Sequence, residues 1–189
     1  FLKNSDQKII LLIADEIQTG MGRTGKLFAF EHYNVVPDIL VSAKALGGGM
    51  PIGAFISSRE IMKSIEDNPI LGHITTFGGH PVSCAAGNAA VKYIFKKQLL
   101  DNVPEKEDLF RTLLVHPKIK KMSGKGLMLS IELDNFEEVE RTMKRCIDRG
   151  VIIDWFLYNT NCLRISPPLI ITKSEIHKVC KIILQSLDE

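Results

Sequence analysis

Near its start the chain carries an unbroken apolar run, Ile9 to Ala14 (IILLIA), that ends abruptly in two carboxylates, Asp15 and Glu16. Short continuous apolar runs suit strands covered on both faces of a parallel sheet, whereas half-solvated strands alternate. A strand of this kind so early in a chain needs neighbours that lie later or are missing. The first residue is also not Met. The chain therefore reads as a fragment of a longer protein.

The pattern that follows alternates strands with glycine loops and helices. A Gly-rich loop spans Thr19 to Gly25, and a short helical stretch is expected near Leu27 to Tyr33. Ile39 to Ser42 reads as a second strand, running directly into Lys44 and the triplet Gly47-Gly48-Gly49, and Ile52 to Ile56 reads as a third. Ser57-Ser58-Arg59-Glu60 has capping-box spacing and predicts a helix to about Asp67. After the Thr75 to Gly79 loop, Pro81 suits the first turn of a long alanine-rich helix reaching about Lys97.

The character changes near Asp101. Residues 101–126 are polar and hold Pro104, Pro117, Gly124 and Gly126, which sets a domain boundary there. Beyond it, Leu127 to Leu133 alternates as a strand, and Phe136 to Arg149 is helical and closed by Gly150. Val151 to Ile153 and Cys162 to Ile165 read as strands. Thr172-Lys173-Ser174-Glu175 is a second capping box opening a terminal helix, with Ile176, Val179, Ile182 and Ile183 on its apolar face.

Composition bounds the partners. With 189 residues, 45% hydrophobic and 24% charged, the chain can bury a core. A formal charge of +2 gives no reason to expect nucleic acid or a membrane surface. No apolar run approaches the roughly 20 residues that span a bilayer, and Phe1 to Asp6 lacks the apolar region of a signal peptide. Cys84, Cys146, Cys162 and Cys180 are scattered, as reduced thiols of a cytoplasmic protein would be. The five histidines have no ligand spacing with cysteines or carboxylates, so no metal is expected.

Four positions invite a chemical reading, each beside a plainer one. Asp15, at a strand end, is either a satisfied loop carboxylate or the partner of a protonated ring nitrogen. Lys44 is either a surface lysine or an amine desolvated among Ala43, Ala45 and the preceding apolar strand, poised to attack an aldehyde. Thr75 and Thr76, before Phe77-Gly78-Gly79, either cap a turn or hold a phosphate with backbone N–H groups. Arg164, between Leu163 and Ile165, either closes an internal salt bridge or offers its fork to a substrate carboxylate.

In this order and spacing, the segments resemble the class III pyridoxal-phosphate-dependent aminotransferases of the acetylornithine, ornithine and putrescine kind. Ile13 to Gly25 (IADEIQTGMGRTG) is similar to the family's pyridine-nitrogen motif, and Ser42 to Gly53 (SAKALGGGMPIG) to its Schiff-base-lysine motif. His73 to Pro81 (HITTFGGHP) is similar to its phosphate-contacting loop, and Leu163 to Leu169 (LRISPPL) to its substrate-carboxylate motif. The resemblance runs from Leu11 to Leu187.

The resemblance implies an α/β chain: a C-terminal half of the type I pyridoxal-phosphate fold. Residues 1–100 would be the second part of the mostly parallel-sheet, cofactor-binding large domain, and residues 101–189 the small α+β domain. Asp15 would pair with the pyridine nitrogen and Gln18 with the ring hydroxyl. Lys44 would form the Schiff base and shuttle the proton. Thr76 would bind the cofactor phosphate from the partner subunit of a homodimer or higher oligomer. Arg164 would bind the carboxylate of 2-oxoglutarate or glutamate and of an amino-acid donor, while Arg23 would be structural.

The implied reaction moves an amino group from an ω-amine or acetylornithine-type donor to 2-oxoglutarate. Alternatives on the same scaffold are an aminomutase or racemase, or an inactive fragment that only dimerises. The chain departs from the family pattern in lacking an N-terminal half, in His80 standing where Asn is usual, and in short stretches at Asn4 to Lys8 and Asp101 to Lys118. Trp155, Phe156 and Tyr158 either line a substrate tunnel or pack a core.

Overall fold

A computed structural model describes residues 10–66 and 69–189. The beginning of the apolar run at Ile9, the readings on Phe1 to Asp6 and Asn4 to Lys8, and the expected helix end at Asp67 lie outside the described residues. The chain divides into two compact units: residues 1–21 with 26–97, and residues 98–189 joined by Gly22–Gly25.

The first unit is built on a three-stranded sheet ordered β1-β2-β3, with β1 Ile13–Asp15, β2 Ile39–Ser42 and β3 Ala54–Ser57. β1 and β2 run parallel, with Asp15 opposite Val41, and β3 runs antiparallel to β2. The apolar run was expected to form a strand buried on both faces. Instead, β1 is three residues long and Ile13 is 58% exposed. The reason is positional: among the described residues β1 is the edge of the sheet and is covered only by β2.

The helix after β3, α1, is short, Arg59–Lys63, and its N-cap is Ser58, which accepts from the Ile61 N–H at 3.3 Å. The expected box on Ser57 does not form, because Ser57 still belongs to β3 and its hydroxyl donates to Asp38 O at 2.7 Å. α2, Pro81–Lys96, starts with Pro81 in its first turn and packs on the short 3-10 turn Lys44–Gly47. The stretch near Leu27 to Tyr33 is a 3-10 turn, Ala29–Tyr33.

The second unit holds the larger core. Its antiparallel sheet is ordered β4-β5-β7-β6: β4 Lys121–Lys125, β5 Met128–Glu132, β6 Asp154–Phe156 and β7 Asn159–Ile165. Three helices pack around it: α3 Val103–Leu113, α4 Phe136–Asp148 and α5 Lys173–Asp188. Phe110, Leu127, Leu129, Ile131, Leu163 and Ile183 are fully buried together. Period-2 alternation in β5 and the 3.6-residue repeat of α5 place their apolar faces on this core.

Two elements depart from expectation. Residues 101–126 are not a polar connection, since they contain α3 and β4. Pro104 sits in the first turn of α3, where its missing N–H costs nothing, and Val103 and Phe110 face inward. The strand expected over Val151 to Ile153 begins three residues later, at Asp154. The Thr172 box does form: Thr172 Oγ1 accepts from the Glu175 N–H at 3.2 Å, and Glu175 accepts from the Thr172 N–H at 2.7 Å.

All four cysteines are unpaired, and Cys146, Cys162 and Cys180 are buried. Burial pushes the Cys180 thiol from its ordinary value near 9 up to about 12. The group stays protonated in the fold while it ionises in the unfolded chain, so the stability it contributes is intact below pH 9 and is lost as pH rises from 9 towards 12. Urea unfolding of the full-length protein at pH 8 to 10.5 should therefore show a shallower alkaline decline in Cys180→Val than in the parent. Equal slopes would refute this.

Among the described residues no helix is long and apolar enough to cross a membrane, and no group of His, Cys, Asp and Glu is placed to hold a metal ion.

Candidate active site

The carboxyl ends of β1 and β2 lie on one edge of the sheet, because the strands are parallel and in register. Asp15 ends β1. Lys44 follows β2 by two residues and opens the 3-10 turn Lys44–Gly47. The Glu16 N–H donates to Val41 O at 2.9 Å and so joins the two strand ends. The carboxyl edge of parallel strands is where open α/β sheets bind ligands.

Lys44 adopts φ +46°, a left-handed conformation that a residue with a side chain occupies only when its surroundings enforce it. α2 packs closely on the same turn. A Cβ on Gly87 would stand 2.8 Å from Leu46 O, and one on Gly48 would stand 2.9 Å from Ala86 O. The helix backbone therefore lies directly on the turn that carries Lys44. Only glycine permits that approach, and Gly48 itself has φ +56°. Nothing in the sequence analysis marked Gly87; the available signal was a lone glycine inside an alanine-rich helix.

Two expectations about these residues need correction. Lys44 is exposed rather than buried in an apolar run. Asp15 is exposed too, and its Oδ1 accepts from the Ile17 N–H at 3.1 Å. The buried carboxylate is its neighbour Glu16, 3% exposed, which accepts from the Phe30 N–H at 2.8 Å and from the Thr19 hydroxyl. Strand alternation explains the exchange: Asp15 and Glu16 point to opposite sides, and only Glu16 points under its own loop. Gln18 is exposed in the turn after Glu16.

Thr76 is exposed in the turn over residues 76–79. The turn leads into the N-terminus of α2, where His80 is the N-cap but makes no side-chain capping bond. His80 instead packs edge-on against Phe77, with ring centroids 6.4 Å apart. A long helix whose first N–H groups lack a side-chain cap is suited to a phosphate.

Arg164 belongs to the second unit, on β7. Its Nη2 donates to Asp154 Oδ2 at 2.8 Å, and both residues line a cavity of about 470 Å³. That volume falls within the ordinary range for small-molecule sites. Ser166, Pro167 and Pro168 continue the wall. Arg23 holds this wall in place by donating from Nη1 to Leu127 O at 3.3 Å and to Pro167 O, in keeping with a structural role. Burial draws the Arg23 guanidinium down from its ordinary value.

Trp155 packs on the core and against Phe136, with ring centroids 5.7 Å apart, and Tyr158 is 98% exposed. Neither they nor Phe156 line the Arg164 cavity.

A pyridoxal ring needs an amine, a carboxylate and unfilled polar capacity around it, and the first unit has all three. Beside Lys44 and Asp15, the Ser42 hydroxyl is buried with no hydrogen-bond partner. A buried orphan hydroxyl two residues from the amine fits a pocket completed by a bound polar group.

Comparisons with known proteins show which family the chain resembles along its length. An acetylornithine aminotransferase from Caldanaerobacter subterraneus subsp. tengcongensis is 40% identical over 99% of this chain and 47% of its own length. An aminotransferase from Bacillus anthracis superposes with TM-score 0.86 at 30% identity, covering 94% of this chain and 44% of that one. The ornithine aminotransferase of Toxoplasma gondii superposes with TM-score 0.85 at 32% identity, over 94% of this chain and 42% of that one, and its structure has pyridoxal phosphate partially occupying the active site. The chain thus spans about half the length of the relatives it matches. A family model described as aminotransferase class-III matches residues 3–187, and the chain belongs to that family, whose cofactor is pyridoxal phosphate.

Proposed function

We propose that the protein containing this chain is an aminotransferase that moves an amino group from an ω-amine or acetylornithine-type donor to 2-oxoglutarate. The observation that carries this reading is Lys44: a left-handed lysine in a turn against which a helix packs, on the same sheet edge as Asp15. Left-handed non-glycine residues are held against a cost of order 1–3 kcal/mol, and they concentrate at functional sites. We further propose that residues 1–100 belong to the cofactor-binding domain and 101–189 to the small domain of a homodimer or higher oligomer. The unpaired cysteines support a reducing, cytoplasmic setting.

Pyridoxal phosphate, when bound, supplies the electron sink that makes the hydrogen on the amine-bearing carbon acidic. With the cofactor bound, Lys44 would hold it, and its amine would serve as the general base that takes the proton from that carbon and as the acid that returns it. Asp15 keeps the pyridine nitrogen protonated, which is the form that best accepts electrons. Gln18 hydrogen-bonds the ring hydroxyl, Thr76 holds the phosphate of the partner's site, and Arg164 binds the substrate carboxylate with its planar fork. The 189-residue chain alone, spanning 47% of the length of its relative, is proposed to be inactive.

The test is borohydride reduction of the full-length protein saturated with pyridoxal phosphate, followed by peptide mapping. A phosphopyridoxyl mass on the Lys44 peptide is the expected result, and labelling elsewhere or nowhere would overturn the assignment. Glutamate formed from 2-oxoglutarate with N-acetylornithine or putrescine as donor then identifies the reaction. Product without glutamate would point to a mutase.

A further inference from the structure

Arg164 does not wait as a free cation. It stands on β7 opposite Asp154 on β6, cross-strand partners in the antiparallel register. Its Nη2 donates to Asp154 Oδ2 at 2.8 Å, while Asp154 Oδ1 accepts from the Trp155 N–H at 2.8 Å. The carboxylate is therefore held at both oxygens. Trp155 is itself fixed by packing on the core and against Phe136, so the strand that presents Asp154 is not free to turn away.

Both side chains line the same cavity, the rest of whose wall is largely apolar, with Phe110, Ile153, Ile171 and Ile183 among it. The Arg164 side chain is 31% exposed and that of Asp154 50%, so an incoming ligand meets the pair rather than the guanidinium alone. A guanidinium has five N–H donors, and Asp154 engages one edge of the fork. The remaining donors are open to a second carboxylate. That carboxylate must then lie within a few ångströms of the Asp154 charge, and like charges so placed repel.

We propose that Asp154 is a positioning and selectivity residue of the Arg164 carboxylate site: it holds the guanidinium in place when no substrate is bound and weakens binding of purely anionic ligands. The inference rests on the reading of Arg164 as the substrate-carboxylate residue. Its consequence is a site tuned to release dianions readily, with affinity set by a competitor built into the strand next door.

Asp154→Asn removes the negative charge and one of the two acceptors, leaving a single amide oxygen for the Trp155 N–H or for Arg164. Calorimetric titration of glutarate into the full-length protein should show binding about threefold tighter in Asp154→Asn than in the parent, the scale of a half-exposed ion pair. The gain should shrink at 1 M salt, where exposed charges are screened, and Asp154→Glu should behave as the parent. In turnover, the KM for 2-oxoglutarate should fall with kcat unchanged.

Glutarate affinity that is equal or weaker in Asp154→Asn would overturn the proposal. Arg164→Ala tells the two readings apart. If it abolishes glutarate binding while Asp154→Asn changes nothing, the carboxylate site stands and Asp154 has no part in its selectivity. If Arg164→Ala binds glutarate as the parent does, both fall.

Discussion

Replacing Lys44 with alanine is expected to lower amino transfer by at least about 10²–10⁴-fold, the usual contribution of positioned proton transfer alone. The loss should exceed that range to the extent that covalent anchoring also matters. The variant should still fold, because Lys44 is exposed and its ammonium supports no core packing. Circular dichroism and the unfolding midpoint should match the parent, and the borohydride label on this peptide should vanish. Addition of a small primary amine should restore part of the rate, since the missing group is a base and not a scaffold. A variant that kept more than about a tenth of the parent's activity would show that the proton moves by another residue, and Asp15 would then lose its reason for lying on the same edge.

Gly87→Val is expected to have the second largest effect, although residue 87 carries no functional group. Its new Cβ would meet Leu46 O at 2.8 Å, a backbone atom that cannot rotate aside, so either α2 or the Lys44–Gly47 turn must move. Displacing a catalytic group by about 1 Å costs on the order of 100-fold in rate. The expected outcome is therefore a kcat loss of that order with full cofactor content. Gly87→Ala should fall between parent and valine. The discriminating measurement is kcat beside cofactor stoichiometry. Loss of both together would mean that the helix unpacks altogether. Normal kcat in both variants would mean that the turn tolerates the shift and that the left-handed backbone at Lys44 is not needed.

Legibility divides between local signals and long-range contacts. Lys44 and Asp15 were readable because Asp15 ends one apolar strand, Lys44 follows the next, and each belongs to a motif whose spacing is chemical: strand, carboxylate, loop, strand, amine, glycines. Local signals of that kind survive in any fold. The Thr172 capping box forms as written, since Ser/Thr and Glu three residues apart satisfy each other's backbone without help from elsewhere. The box read at Ser57 fails for the opposite reason. Two adjacent serines offer two registers, and pairing of β3 with β2 consumes the first.

Helix α3 was hidden because its Pro104 and its charged residues resemble a linker. Only the packing of Val103 and Phe110 into a core distant in sequence shows that it is helical.

By itself the sequence determined the alternation of elements, the order of the four motifs and hence the family, because all of these are written in residue types and short spacings. The tertiary structure decided which carboxylate is buried, which glycine seats the lysine turn and which partner Arg164 meets. Glu16 rather than Asp15 turns inward by one step of strand alternation. Gly87 matters through a contact with a residue 41 positions away. The expected strand at Val151 begins instead at Asp154, and that shift alone puts Asp154 opposite Arg164. Register and close approach are relations between segments, fixed by how surfaces fit, and no window along the chain contains them.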